Sequence, residues 1–270
     1  MELVKDKYTR SINRTTKKYF LDFCNKNVIG DTNTRDWLIM KNLLLDDKVI
    51  QGILYNANKV VIKLGKKEET DKEYNLNIQL QKFKGFVRYI CIFSCKDDLN
   101  KYKHEDGSWS GDGFCEPNGP DKTNAIIMPY YELSSMLRYK WDEINFNMFK
   151  ELLKRVIEIL IFTNKQIGFL HNDIHLDNVM LKECKNGEFK VEIIDFDKST
   201  ISLDDKLNYK KMGENFRILF DSVSRLECIL QMSTNNLIIF TNRMRDPFEN
   251  KDLNLDDIYK CVDKLRYNSY

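Results

Sequence analysis

The sequence predicts a mixed α+β protein with strands concentrated in its first half and helices in its second half. Two β-rich runs at residues 48–55 and 59–64 flank a short Asn-Ala-Asn turn, which is the pattern of a hairpin. Apolar residues recur at helical spacing over residues 146–166, which indicates a long helix with one buried face. These two patterns together favour an α+β architecture over an all-helical or all-strand one.

Length and composition narrow the class of protein. A chain of 270 residues is long enough to bury a sizeable core, as one large domain or as two packed lobes. Its net charge of +2 gives no electrostatic support for a nucleic-acid partner. No run approaches 18 apolar residues, so no membrane partner is expected. Seven scattered cysteines and a polar N-terminus without a signal peptide predict an intracellular location with free thiols, either the cytoplasm or, for a viral protein, the host cell or virion. The chain is expected to be a monomer.

The first third of the chain is expected to form an extension followed by a β-rich part. Residues 1–45 are predicted to be an N-terminal extension, with a short helix at 17–23 and a helical turn at 37–45 that leads into a strand. Acidic residues from Glu68 onward open a helix that reaches Phe83, because negative side chains suit a helix N-terminus.

Further along, residues 86–93 and 124–129 are predicted to be strands, and the polar, glycine-rich stretch 96–122 a surface insertion. A short helix is expected to begin at 134–137, and an amphipathic helix is expected at 214–230. A further helix is expected at 236–240, and residues 253–267 complete a reduced C-terminal part.

A polar loop and a second hairpin contain the chemistry. Residues 171–178 read His-Asn-Asp-Ile-His-Leu-Asp-Asn. They precede two apolar runs, 179–182 and 189–194, that flank an Asn-Gly turn. A hairpin of these runs would bring Asn178 and Asp195 together at its open end. The pattern is therefore able to deliver a carboxylate base and a pair of oxygen ligands to one place.

The spacing His-x-Asp-x-x-x-x-Asn, followed by a strand that ends in Asp-Phe, resembles the catalytic and metal-binding loops of the protein kinase superfamily. The resemblance covers roughly residues 48–230. It implies a bilobal protein-kinase-like fold, with a small β-rich N-lobe at 46–131, a hinge near 128–132 and a reduced, mainly helical C-lobe at 132–270.

The resemblance implies a role for each polar residue of the loop. Asp173 would orient the acceptor hydroxyl and take its proton. Asn178 and Asp195 would hold Mg²⁺, which prefers hard oxygen ligands and takes few of them from protein. His171 would be structural. Asp221 on the helix downstream would either brace the loop or be a solvated or capping side chain.

The N-lobe would bind ATP. Lys63 closes a Val-Val-Ile-Lys strand similar to the kinase strand whose lysine reaches the α- and β-phosphates. Glu73, ahead of Glu69, would pair with this lysine from the following helix. The Gly-x-Gly-x-x-Gly loop is absent, and Gly52 alone stands before the hairpin to bring backbone N–H groups near the phosphates. The hinge residues expected to hold adenine are Met128, Tyr130 and Tyr131.

Two residues depart from the protein-kinase pattern. His175 stands where typical protein kinases have lysine, as in aminoglycoside and choline kinases and in divergent haspin-type kinases. A histidine there is able to donate a hydrogen bond to the transferred phosphate, with a charge that depends on pH. Asp197 replaces the usual glycine, which either costs backbone freedom or adds a carboxylate near the metal.

The resemblance therefore implies Mg²⁺-dependent transfer of the ATP γ-phosphate to a hydroxyl group. A divergent Ser/Thr protein kinase, with haspin-like or viral kinases the most similar in character, is the favoured interpretation, and its partner would be a protein substrate. A small-molecule kinase that acts on an alcohol is the first alternative, favoured by His175 and by the missing Ala-Pro-Glu activation segment. A pseudokinase that acts as a binding module is the second, favoured by the poor glycine loop.

Overall fold

The computed structural model shows an α+β protein with two compact units. The sheet unit comprises the described residues up to 82 and those of 87–130, and the helical unit comprises 83–86 and the described residues from 131 onward. The residues that the structure describes are 38–46, 49–54, 59–94, 102–103, 109–110, 123–202, 205–226 and 255–267. No helix in these ranges is both long enough and apolar enough to cross a bilayer.

A five-stranded antiparallel sheet forms the centre of the sheet unit, in the order β1-β2-β3-β7-β4. The predicted hairpin is confirmed, since β2 pairs with β3 from Val49 opposite Lys63 to Ile53 opposite Lys59. A two-stranded pair, β5 with β6, lies within the predicted insertion. The strands are β1 (Leu38–Asp46), β2 (Val49–Leu54), β3 (Lys59–Lys66), β4 (Cys91–Ser94), β5 (Tyr102–Lys103), β6 (Trp109–Ser110) and β7 (Thr123–Pro129).

The prediction of a helical turn at residues 37–45 is wrong for the part that the structure describes. Residues 38–46 form β1, which pairs with β2, so the supposed extension contributes an edge strand to the sheet. A short apolar run fits a helix and a buried strand equally well, and here the available partner strand decides the outcome. The predicted helix at 17–23 lies outside the described residues.

Helix α1 (Lys67–Leu80) follows β3 directly and fixes the segment after it. The side chain of Asn77 is fully buried, donates to the carbonyl of Val87 at 2.8 Å and accepts from the N–H of Tyr89 at 3.0 Å. The prediction of one strand over 86–93 is therefore only partly right. Val87 and Tyr89 bond to an amide side chain where a strand would bond to a neighbouring strand. Ile90 donates to the carbonyl of Ile127 in β7 at 2.7 Å, and β4 begins at Cys91.

The helical unit contains one long buried helix and two small antiparallel sheets. The long helix ends at Gly168, whose φ of 67° is the left-handed conformation typical of a glycine after a helix. The predicted hairpin is confirmed by the pairing of β9 with β10, and β8 pairs with β11. The elements are α2 (Phe146–Ile167), β8 (Phe169–Leu170), a 3-10 turn (Leu176–Asn178), β9 (Val179–Glu183), β10 (Phe189–Ile193), β11 (Thr200–Ile201), α3 (Asp205–Val223) and α4 (Leu255–Asp263).

Two helix predictions in this unit need correction. Residues 134–137 form a turn, and Ser135 bridges to Met180 of β9. The predicted helix at 214–230 begins earlier, at Asp205, and ends at Val223. The segment 236–240 lies outside the described residues, and α4 lies within 253–267, where no helix was predicted.

Aromatic side chains fill the core beneath the polar loop. Phe86, Phe169 and Phe196 are all at most 1% exposed and meet in edge-on or tilted contacts, with ring centroids 5.4–6.4 Å apart. Such contacts stabilise a core beyond the burial of area alone. Since Phe196 directly follows Asp195, this cluster fixes the backbone at the end of the second hairpin.

Candidate active site

His171 begins the polar loop and is fully buried beside the aromatic cluster. Its Nε2 lies 2.9 Å from the carbonyl oxygen of Ile194, so Nε2 holds the proton and donates it. Burial lowers the pKa of His171 below its usual value, which keeps the ring neutral at pH 7. Its ring also meets the edges of Phe169 and Phe196. The contacts agree with the structural role expected for this histidine.

Side chains from distant parts of the chain hold the loop backbone. Asn215 of α3 accepts from the N–H of Asn172 at 2.7 Å, and Ser222 accepts from the N–H of Leu176 at 3.0 Å. Ser199 donates to the carbonyl of His171 at 3.0 Å. Irregular backbone must find partners for its polar groups, and these three side chains provide them.

Of the two roles expected for Asp221, bracing the loop is wrong, and a solvated side chain agrees with the structure. Its carboxylate pairs with Arg217 one turn earlier on the surface of α3, at 3.3 Å. The residue beside it, Ser222, is 5% exposed and makes the contact with the loop instead. The sequence pattern located the correct helix but the wrong residue, because a helix places adjacent side chains on different faces.

Asp173, the predicted base, forms an ion pair with Lys198. The carboxylate Oδ2 lies 2.6 Å from the lysine Nζ, and the two side chains are 26% and 61% exposed. The hydrogen bond that the ammonium donates to this carboxylate raises the pKa of Lys198 above its usual value. Lys198 was not identified from the sequence. The only available signal was its position three residues after Asp195.

The second hairpin brings the two predicted metal ligands next to each other. The N–H of Ile194 donates to the carbonyl of Asn178 at 3.0 Å, so Asp195 directly follows a residue bonded to Asn178. The amide Nδ2 of Asn178 donates to the carbonyl of Asp173 at 3.0 Å, and this fixes the rotation of the side chain. Asp195 has a φ of 64°, in the left-handed region that Asp tolerates better than most residues.

The oxygen donors of this hairpin end suit a magnesium ion. One carboxylate and one amide oxygen are hard ligands, and Mg²⁺ commonly takes only one or two ligands from protein, with water and phosphate supplying the others. The described residues contain no group of three His, Cys, Asp or Glu side chains placed to hold a metal ion. One carboxylate and one amide oxygen would need further ligands, such as water or phosphate oxygens, to hold Mg²⁺.

His175 and Asp197, the two unusual positions, have defined partners. Nε2 of His175 lies 3.2 Å from the Nδ2 donor of Asn178, so Nε2 accepts and only Nδ1 remains to donate to a phosphate. Asp197 is exposed, and its Oδ1 accepts from the N–H of Lys198 at 2.6 Å. The positive backbone angle belongs to Asp195, so aspartate in place of glycine at 197 causes no backbone strain.

In the sheet unit, Lys63 of β3 and Glu73 of α1 form a buried ion pair. Nζ of Lys63 lies 2.9 Å from Oε2 of Glu73, and the two side chains are 19% and 2% exposed. The hydroxyl of the buried Tyr89 donates to the other carboxylate oxygen. The alternative partner, Glu69, is exposed. The structure thus brings together Lys63 and Glu73, the pair that the resemblance implies.

The other residues predicted to contact ATP are Gly52, Met128, Tyr130 and Tyr131. Gly52 lies inside β2, opposite Met40 on one side and Val60 on the other, so it is a strand position and not part of a loop. Met128 is buried in β7, and Tyr130 is half-buried just after that strand. Tyr131 belongs to the helical unit and is 9% exposed, and its hydroxyl donates to Glu192 of β10 at 2.5 Å.

Comparison with known proteins adds no family to these observations. A scan against protein-family models gives no match, and no curated protein is significantly similar in sequence. Any function for the chain must therefore be inferred from its own residues and their geometry.

Proposed function

We propose that the protein is a Mg²⁺-dependent ATP phosphotransferase with a bilobal protein-kinase-like fold, and that it is a divergent Ser/Thr protein kinase. The observation that supports this most is the joint position of Asp173, Asn178 and Asp195. The first two share a hydrogen bond within one loop, and the hairpin bond from Ile194 places the third beside the second. One carboxylate for a proton and two oxygen ligands for a cation are the parts that phosphoryl transfer needs.

Each of these side chains has a task in the proposed reaction. Asp173 orients the acceptor hydroxyl and accepts its proton as the acceptor oxygen bonds to the γ-phosphorus and the bond to ADP breaks. Asn178 and Asp195 would hold Mg²⁺, which neutralises negative charge on the phosphates when it is bound. His171 and the side chains that bond to the loop backbone keep these groups in position.

The ion pair in the sheet unit supports the same proposal independently. Lys63 lies on the third strand of its sheet and Glu73 on the helix that follows, which is the placement of the strand lysine and helix glutamate in protein kinases. Glu73 keeps the ammonium in one position. In the proposed reaction this ammonium binds the α- and β-phosphates of ATP.

Replacement of Asp173 tests the catalytic assignment. We expect Asp173→Asn to reduce transfer of radiolabelled γ-phosphate on the order of 10²- to 10⁴-fold, the usual contribution of a positioned base. Glu183→Gln, which neutralises an exposed carboxylate on the same hairpin, is the matched control and should leave the rate unchanged. An unchanged rate in Asp173→Asn would show that this carboxylate is not the base.

Nucleotide binding is tested separately by thermal unfolding. ATP with Mg²⁺ should raise the melting temperature of the wild-type protein, because a ligand that binds only the folded state stabilises it. Asp195→Asn should remove the part of the shift that depends on Mg²⁺. The absence of any shift in the wild type would reject the enzyme proposal. Nucleotide binding without phosphate transfer to any acceptor would leave the pseudokinase, which the strand position of Gly52 favours.

A small-molecule kinase is the second candidate function, and one observation favours it. Only residues 196–204 separate Asp195 from the start of α3 at Asp205, and β11 lies within them. This length does not allow the long activation segment of typical protein kinases. A panel of protein substrates and small alcohols assayed for radiolabelled phosphate decides between the acceptors: label on alcohols alone would reject the protein-kinase version.

A further inference from the structure

Lys198 lies where a cation would contact the phosphoryl group in the proposed reaction. Its Nζ is 2.6 Å from Oδ2 of Asp173. A base carboxylate must lie within hydrogen-bond reach of the acceptor hydroxyl, and that hydroxyl attacks the γ-phosphorus. A cation in contact with this carboxylate is therefore within a few ångströms of the oxygens of the transferred group.

The loop itself has no lysine for this purpose. The position two residues after Asp173 is His175, and Nε2 of this histidine accepts a hydrogen bond from Asn178. A neutral ring that accepts from the metal-binding amide contributes no positive charge to the phosphoryl group. The ammonium beside Asp173 comes instead from the segment after Asp195.

We propose that Lys198 is a catalytic residue whose ammonium binds the transferred phosphoryl group, replacing the lysine that is missing from the loop at His175. This role rests on the proposed phosphotransfer function. It assigns a catalytic residue that neither the sequence pattern nor any known relative indicates.

The backbone N–H and carbonyl of Lys198 both have partners, and the partner of the carbonyl lies in the loop. Its N–H donates to Oδ1 of Asp197 at 2.6 Å, and its carbonyl accepts from Nδ2 of Asn172 at 2.9 Å. The next residue, Ser199, is fully buried and donates to the carbonyl of His171. The start of the side chain is thus fixed relative to Asp173, as a preorganised catalytic group requires.

The Lys198 side chain is able to move during the reaction, although its backbone is fixed. It is 61% exposed, and a lysine has a flexible four-carbon stem with three donors on its ammonium. The ammonium is therefore able to bond to a phosphoryl oxygen while it remains close to Asp173. The raised pKa of Lys198 keeps its ammonium charged throughout the neutral range.

Three variants of the full chain test this role, assayed with the acceptor that the wild type phosphorylates best. Lys198→Met should reduce kcat on the order of a hundredfold, as loss of one charge-stabilising group does, with a much smaller change in the KM for ATP. Lys198→Arg should recover a large part of the lost rate, because it restores the charge. The control Lys190→Met removes an exposed lysine from β10 and should behave as the wild type.

Melting temperature and the Mg²⁺-ATP shift in Lys198→Met should both equal those of the wild type, because an exposed ion pair adds little stability. An unchanged kcat in Lys198→Met, or a loss that appears only in the KM for ATP, would overturn this role and leave the proposed function intact. A faster Lys198→Met enzyme would also overturn it, and would show that Lys198 restrains Asp173. No transfer by the wild type would reject the proposed function and this role with it.

Discussion

Replacing Glu73 by glutamine should destabilise the protein by about 2–4 kcal/mol, because it breaks the buried pair with Lys63. Removal of one partner of a buried ion pair typically costs ~3–5 kcal/mol, since the other charge is left uncompensated. Because Lys63 is 19% exposed, its ammonium would regain part of its hydration in the variant. The expected loss of stability therefore lies toward or below the lower end of this range. Glutamine keeps one acceptor oxygen, so either Lys63 or the hydroxyl of Tyr89 loses its partner.

A double-mutant cycle isolates the contribution of the pair. Lys63→Met and Glu73→Gln are measured alone and together by urea unfolding, and a coupling energy of about 1–3 kcal/mol is expected. Asp71→Asn is the control, because it breaks an exposed pair with Lys67 on the same helix and should cost at most about 0.5 kcal/mol. Additive effects of the two substitutions, or a loss in Glu73→Gln no larger than in the control, would refute a buried pair at this position.

Two further predictions concern the helical unit. Burial lowers the pKa of His171. Below about pH 6.5 the unfolded state therefore takes up a proton that the folded state does not. The free energy of unfolding then falls as the pH decreases, by at most about 1.4 kcal/mol per pH unit. Urea unfolding at pH 7.5 and 5.5 should show a smaller decrease for His171→Asn, and an equal decrease would contradict the shift. Gly168→Ala should cost at least about 3 kcal/mol, because its Cβ would lie 1.7 Å from the carbonyl oxygen of Ser202 at a φ of 67°. Gly187→Ala, with a φ of 77° and open space around it, should cost only about 1–2 kcal/mol, and equal losses would show that no clash occurs.

Elements with strong local signals were predictable from the sequence. Helix α2 has a long apolar periodicity and a glycine at its end, and the structure confirms both. The hairpin of β9 and β10 has an Asn-Gly turn between β-rich runs, and Gly187 has the positive φ that such a turn requires. In each case the residues that determine the structure lie within the element itself.

Elements that depend on distant partners were not predictable in the same way. The apolar run at 38–46 becomes a strand because β2 is available beside it. Residues 87–89 do not extend β4, because the amide of Asn77 on α1 bonds to the carbonyl of Val87 and the N–H of Tyr89. A propensity that is read along the chain contains no information about such partners.

The same distinction between local signals and distant partners holds for single side chains of the candidate site. Asp173, Asn178 and Asp195 follow from spacing, because one loop and one hairpin determine where they lie. Lys198 does not follow from spacing, since its contact with Asp173 depends on how the chain returns after β10. Sequence reasoning therefore recovers groups that share an element and misses a group that a neighbouring segment supplies.

The loop that contains Asp173 is irregular, and long-range bonds from side chains replace the ladder that a strand would have. Asn215 and Ser222 hold its N–H groups, and Ser199 holds the carbonyl at its start. Each is a neutral, short side chain that is at most 5% exposed, so each has little freedom to lose when it forms its bond. Groups fixed in this way need not reorganise when charge develops near them, which is the condition for strong electrostatic stabilisation of a transition state. The residues that hold the loop are thus as necessary to the proposed chemistry as the residues that would perform it.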